Sequence, residues 1–141
     1  MSKAPNAHIT HRGLRFQYTF YYPKPPPTTP IRLSRSDASP ASLKDHPIYQ
    51  SISELDHEAM ELLTLPPFRA SQAHQDFAEY LARTKNTICG RHPIGVLFGA
   101  LTAIEKDGKS PSLKWVRYEQ SSQCMTVKDS SVSYASAFIR F

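Results

Sequence analysis

This 141-residue chain contains only two cysteines and no long uncharged apolar run. Cys89 and Cys124 are far apart and no secretory leader is recognisable, so a disulfide framework is excluded and a reducing, cytoplasmic setting is expected. Spanning a bilayer as a helix takes about 20 consecutive apolar residues, which this sequence nowhere offers, so no membrane partner is expected. The net charge of +5 and a pI near 9.3 favour acidic partners. Lysine and arginine are scattered rather than striped and no RNA- or DNA-binding motif is present, which argues against a nucleic-acid partner. The single Cys-x-x-His spacing, Cys89 to His92, lacks the second pair that a structural metal site requires.

Proline is unevenly placed. Seven of the twelve prolines fall between Pro23 and Pro47, in Pro23-Lys-Pro-Pro-Pro-Thr-Thr-Pro30 and the serine-rich stretch after it. Residues 23–47 therefore read as a Pro/Ser-rich inserted surface loop without regular structure. Pro23-x-x-Pro26 and Pro27-x-x-Pro30 have the spacing that docks an SH3-type groove as polyproline II, so 23–30 is a candidate peptide contact. Ser34, Ser36 and Ser39, near Arg32 and Arg35, are open to phosphorylation, with nothing to single one out.

Periodicity predicts three helices. Ile48, Ile52, Leu55, Ala59 and Leu62 recur at alternating spacings of four and three, an amphipathic stripe that Pro66-Pro67 must end. Ala73, Phe77, Tyr80 and Leu81 mark a shorter helix. A third opens with Pro93 at its first position, runs through Ile94, Leu97, Phe98, Leu101 and Ile104, and stops at Gly108. Its Gly95, Gly99 and Ala103 form a small-residue edge suited to close packing on a sheet. Leu14–Tyr22, Leu113–Glu119 and Val132–Phe141 read as strands, the last as one covered on both faces.

Asn86-Thr-Ile-Cys-Gly-Arg-His-Pro-Ile-Gly95 places a thiol, an imidazole, a guanidinium and a helix start within ten residues. Cys89 precedes a helix N-terminus and adjoins Arg91, a setting in which dipole and cation both favour a thiolate. The plainer alternative is a small buried hydrophobe beside a tight turn. His92, just before Pro93, is either a pocket residue or part of the helix start. Cys124 reads as support for a turn or pocket wall, Asp129 as a turn residue and Tyr134 as a strand residue. His8, His46, His57 and His74 read as solvent-exposed.

These blocks resemble a known family. Asn86–Leu97, then Gln120-Ser-Ser-Gln-Cys124, then Asp129-Ser-Ser-Val-Ser-Tyr-Ala135 look like the C-terminal part of the Memo family (mediator of ErbB2-driven cell motility), in its order and close to its spacing. His11-Arg-Gly-Leu-Arg-Phe-Gln-Tyr-Thr-Phe-Tyr-Tyr22 resembles that family's His-Trp-Gly segment, and Ile48–Asp56 the helix after it. The resemblance implies an α/β fold, part of a Memo or class III extradiol dioxygenase-like αβ sandwich. The dioxygenases hold Fe(II) with two histidines and a carboxylate, and use a further histidine as acid/base. In Memo proteins the carboxylate position looks like a cysteine. By that analogy Cys89 falls on the cysteine and His11 on the acid/base histidine, so His11 and Cys89 are the implied metal-site residues, with His92 beside them in the pocket.

The departures matter as much. The family's other two histidines belong to an N-terminal half with no counterpart here, so 1–141 reads as the C-terminal part of a Memo-like domain truncated at the N-terminus. Met1–Ala7 is poor in apolar residues and is expected to be disordered. Thr10 and Arg12 stand where the family has Cys and Trp. Copper, zinc or iron would belong to a complete family site; this chain, with two ligands instead of four, is expected to bind none of them tightly. Half a sandwich should also leave an exposed sheet edge and an uncovered apolar face. The function implied is that of a non-catalytic regulator with a metal-binding family site, acting in signalling or redox control through a peptide or signalling-protein partner. Its alternatives are a metal-dependent dioxygenase-like oxidoreductase and a truncated product without autonomous function.

Overall fold

The computed structural model describes residues 7–12, 19–23, 30–33 and 41–141. Along the chain these form β1 (Ala7–Arg12), β2 (Thr19–Tyr21), β3 (Ile31–Leu33), a 3-10 turn at Ala41–Lys44, α1 (Ile48–Leu62), α2 (Ala70–Thr84), α3 (Arg91–Lys106), β4 (Ser112–Gln120) and β5 (Val132–Arg140). The fold is mixed α/β, in agreement with the fold class implied by the resemblance. One antiparallel sheet has the order β1-β5-β4, and β2 and β3 pair separately.

The three helices lie where periodicity puts them. The stripe of α1 buries Ile48, Ile52, Leu55 and Ala59. Helix α2 runs for 15 residues, as long as α1 and longer than its apolar spacing predicts, because Ala70 and Thr84 extend the buried row at both ends. It stops at Lys85, which takes up φ 57 and returns its N–H to the Leu81 carbonyl. Helix α3 begins at Arg91, two residues before Pro93. Its end is a paired cap in which Gly108, at φ 81, donates to the Glu105 carbonyl and Lys109 donates to that of Ile104.

Phe77, Tyr80, Phe98, Leu101, Ile94 and Leu63 close the main core against Leu113, Ala137 and Ile139 of the sheet. The Phe77 and Tyr80 rings stack 6.2 Å apart and 9° from parallel. Each such side chain contributes about 1.5–3 kcal/mol of burial. Two polar links fix the sheet to α1 and the segment after it: Trp115 Nε1 donates to the Met60 carbonyl at 2.7 Å, and Leu65 and Leu113 exchange backbone hydrogen bonds.

Several expectations are corrected. In β5 the residues Ser133, Ala135, Ala137 and Ile139 are buried while Tyr134 is 51% exposed, so the helices cover one face only. The other face carries the exposed Lys114, Arg117, Glu119 and Tyr134, with the Arg140 guanidinium 5.1 Å above the Phe138 ring. It is uncovered among the described residues, as expected, but mixed rather than apolar, with charged side chains beside Tyr134 and Phe138. The edge strand β4 is interrupted by a bulge between Trp115 and Arg117, which blunts it as a pairing template. Gly99 and Ala103 face solvent instead of the sheet; the close approach is at Gly95, where an added Cβ would lie 3.5 Å from the His74 ring on α2. The expected strand over Leu14–Tyr22 is described only from Thr19, and residues 1–6 and 24–29, including most of the Pro-x-x-Pro stretch, lie outside the described residues.

The described residues within 23–47 include regular structure and core contacts. Leu33 on β3 is 7% exposed and joins Tyr21, Ile48, Ile52 and Cys124 in a second core cluster, with Leu43 packed against it. His46 is half-buried, its ring 3.2 Å from the Glu54 carboxylate and its carbonyl accepting the Tyr21 hydroxyl at 2.6 Å. Pro47 then caps α1, offering its carbonyl to Gln50 and Ser51.

Candidate functional site

Side chains of helix α1 meet those of β4 and β5 beside the loop that joins α2 to α3. Where these meet is a small cavity of about 20 Å³, room for one water-sized group. Ala59, Met60, Leu63, Ile88 and Ala135 form its apolar wall, and Asp56, Tyr118 and Ser133 its polar one.

The polar wall is a connected network. Asp56 is buried at the middle of α1. Its Oδ2 accepts the Tyr118 hydroxyl at 2.9 Å and its Oδ1 accepts Asn86 Nδ2 at 3.4 Å. The phenol oxygen in turn accepts Gln120 Nε2 at 2.9 Å. Ser133 Oγ lies 3.3 Å from it and, with the phenol proton committed to Asp56, acts as donor. Burial, and after it the nearby Asp56 charge, push the Tyr118 pKa up to about 12, so the phenol keeps its proton at neutral pH. Asn86 also donates to the Tyr80 hydroxyl at 2.7 Å, which passes its own proton to the Leu55 carbonyl. Burial is again the main force raising the Tyr80 pKa. On the outer side the exposed His57 ring meets Tyr118 edge-on at 4.6 Å.

The residues singled out by sequence stand around this cavity to different degrees. His11, described by its place in β1 alone, is paired in register with Ser133, a cavity residue. Cys89 follows Ile88, another cavity residue, and is exposed in the turn before α3. That turn is closed by Arg91, whose backbone N–H and guanidinium both donate to the Ile88 carbonyl. His92 is exposed in the first turn of α3 and is not among the lining residues. Cys124 belongs to the second core cluster rather than to the cavity. Burial and the Asp129 charge raise its pKa. Asp129 is a turn residue as expected, its Oδ2 accepting the backbone N–H groups of Met125 and Thr126, which lower its pKa.

A cation would find an incomplete set of donors here. Among the described residues, no three His, Cys, Asp or Glu side chains converge on a point. The Asp56 carboxylate already receives Tyr118 and Asn86. Thiolate and imidazole from Cys89 and His11 are the right chemical kinds for copper or zinc, but two of them do not fill a tetrahedral site.

Sequence reasoning missed Asp56, Tyr118, Asn86, Gln120 and Ser133. The available signal was weak. Asn86 and Gln120 open two of the family-like blocks, and Asp56 ends a third, yet none has a spacing that announces a shared hydrogen-bond network.

Comparison with known proteins agrees with the motifs. The Memo-like protein family model matches residues 6–138. Protein MEMO1 of Homo sapiens is 40% identical over 126 residues, 89% of this chain and 33% of that protein. The MEMO1 family protein of Schizosaccharomyces pombe is 39% identical over 128 residues, 90% of this chain and 38% of its own length. This chain thus spans about a third of the length of the relatives it matches. Together, the matched family model and these identities over most of its length place the chain in the Memo family.

Proposed function

We propose that this chain is a non-catalytic Memo-type regulator, acting through protein contacts in cytoplasmic signalling or redox control, with Cys89 as its metal-responsive group. One observation carries the reading: Ile88, next to Cys89, and Ser133, the register partner of His11, line the same cavity. The Cys89 loop therefore meets β5, the strand with which the strand of His11 pairs, although the two residues are far apart in sequence. Cys89 is exposed just before α3, where a metal ion or a reagent can reach it. Thiolate is a soft ligand, which favours copper(I) or zinc over iron. An extradiol-type reaction would also need an open iron position and a base in reach of the catechol, and that donor set is not assembled among the described residues. The SH3-type contact through 23–30 remains part of the proposal as a peptide-docking element.

Titration of the chain with copper(I) in a competing chelator, repeated with zinc(II), tests the reading. Weak 1:1 binding that disappears in Cys89→Ser is expected. Binding unchanged in both Cys89→Ser and His11→Ala would remove the metal-responsive role from this cavity.

A further inference from the structure

The two segments that flank the cavity are joined by a continuous line of side-chain hydrogen bonds. It starts at Ser133, the β5 residue opposite His11, passes to the Tyr118 hydroxyl at 3.3 Å and on to Asp56 at 2.9 Å. From Asp56 it continues to Asn86 at 3.4 Å, three residues before Cys89. Asn86 has a second and shorter hold on α1, through the Tyr80 hydroxyl to the carbonyl of Leu55. The loop that carries Cys89 is therefore gripped at two consecutive residues of α1, while the same Asp56 reaches the strand beside His11.

We propose that Asp56 is a positioning residue, which ties the Cys89 loop through Asn86 to β5, the strand paired with that of His11, through Tyr118 and Ser133. This deepens the reading of Cys89 and His11 as one site and rests on it. The chemistry suits the task. The two carboxylate oxygens of Asp56 accept from different elements at once, Oδ2 from β4 and Oδ1 from the loop before α3. Its partners are neutral donors, Asn86 and a phenol that holds its proton at neutral pH. Hydrogen bonds to a buried carboxylate are also among the stronger ones available to a protein. Core packing alone leaves the turn at Ile88–Gly90 with one buried anchor, Ile88; the polar line supplies the second.

The test reads loop order without any metal, so its failure and the failure of the metal-responsive role are separate results. Hydrogen exchange of the peptide covering 85–91 is followed by mass spectrometry in the full chain carrying Asn86→Ala, Tyr118→Phe or both. Asn86→Ala should raise exchange in this peptide by roughly tenfold and Tyr118→Phe by a few-fold. The double variant should exceed the larger single effect only slightly, because both act through Asp56. A nitroxide on Cys89 should report the same order of mobility in its spectrum. Leu33→Ala, which loosens the second cluster, serves as the control and should leave this peptide unchanged relative to the rest of the chain. Effects that multiply in the double variant, or an equal rise in Leu33→Ala, would overturn the proposal.

Discussion

Leu33→Ala is the sharpest probe of how residues 23–47 contribute to this fold. As a loop residue in a Pro/Ser-rich insertion, Leu33 would be replaceable at almost no cost, since loop closure depends only weakly on sequence and length. Its place in the structure says otherwise: it is 7% exposed against Tyr21, Ile48, Ile52 and Cys124. Removing the outer carbons of a buried leucine loses about 2 kcal/mol of transfer free energy at roughly 0.8 kcal/mol per methylene. The space left behind adds about 1 kcal/mol, less than in a rigid core because β2 and β3 form only a two-stranded ribbon that can settle. A loss of about 2–3 kcal/mol is expected, a large part of the stability of an ordinary small domain. In urea this is a fall of about 1–2 M in the unfolding midpoint, with the slope unchanged. Ile31→Ala on the same strand, at a residue 38% exposed, should shift the midpoint much less. A midpoint for Leu33→Ala within about 0.2 M of the parent would refute the reasoning and return the segment to the status of a dispensable loop.

Iodoacetamide should alkylate Cys89 well before Cys124 at neutral pH, read by peptide mass spectrometry; Cys89 is exposed, while Cys124 is fully buried with its pKa raised by burial and by Asp129. Faster labelling of Cys124 would show that the second cluster opens more readily than the loop before α3. Asp129 ties acid stability to the turn before β5. Its pKa is lowered in the folded chain by the Thr126 and Met125 amides, so its contribution is present above the ordinary aspartate value and is lost as pH falls through the depressed one. Asp129→Asn should therefore flatten the dependence of the urea midpoint on pH below about 4, and an unchanged acid limb would count against the turn.

The open face of the sheet bears on solubility. A half-covered sheet with an apolar outer side would be an aggregation hazard. Lys114, Arg117 and Glu119 occupy that side of β4 instead, and Arg117 pairs with Glu119 at 3.1 Å. The bulge next to Trp115 disrupts the strand that would otherwise template pairing.

The sequence by itself determined the helices, the long strands and the family. Ile48 to Leu62 could bury one face only as a helix, Gly108 had to close α3 because that turn needs a positive φ, and the Asn86–Leu97 and Gln120–Cys124 blocks are long enough to identify their relatives. Helix ends were less legible: α2 gains nearly a turn at each end, out to Ala70 and Thr84, which periodicity does not mark but burial does. The cavity network belonged wholly to the tertiary structure. Asp56, Asn86, Tyr118 and Ser133 lie on four separate segments, and each looks like an ordinary polar residue until packing removes water and leaves its donors and acceptors only one another. The same holds for β3: Leu33 is one apolar residue in a stretch of prolines and serines, and only its contact with Ile48 and Ile52 decides that it belongs to the core. Local pattern fixes what each segment is; which polar groups meet depends on how the segments pack, and that is set by the whole chain.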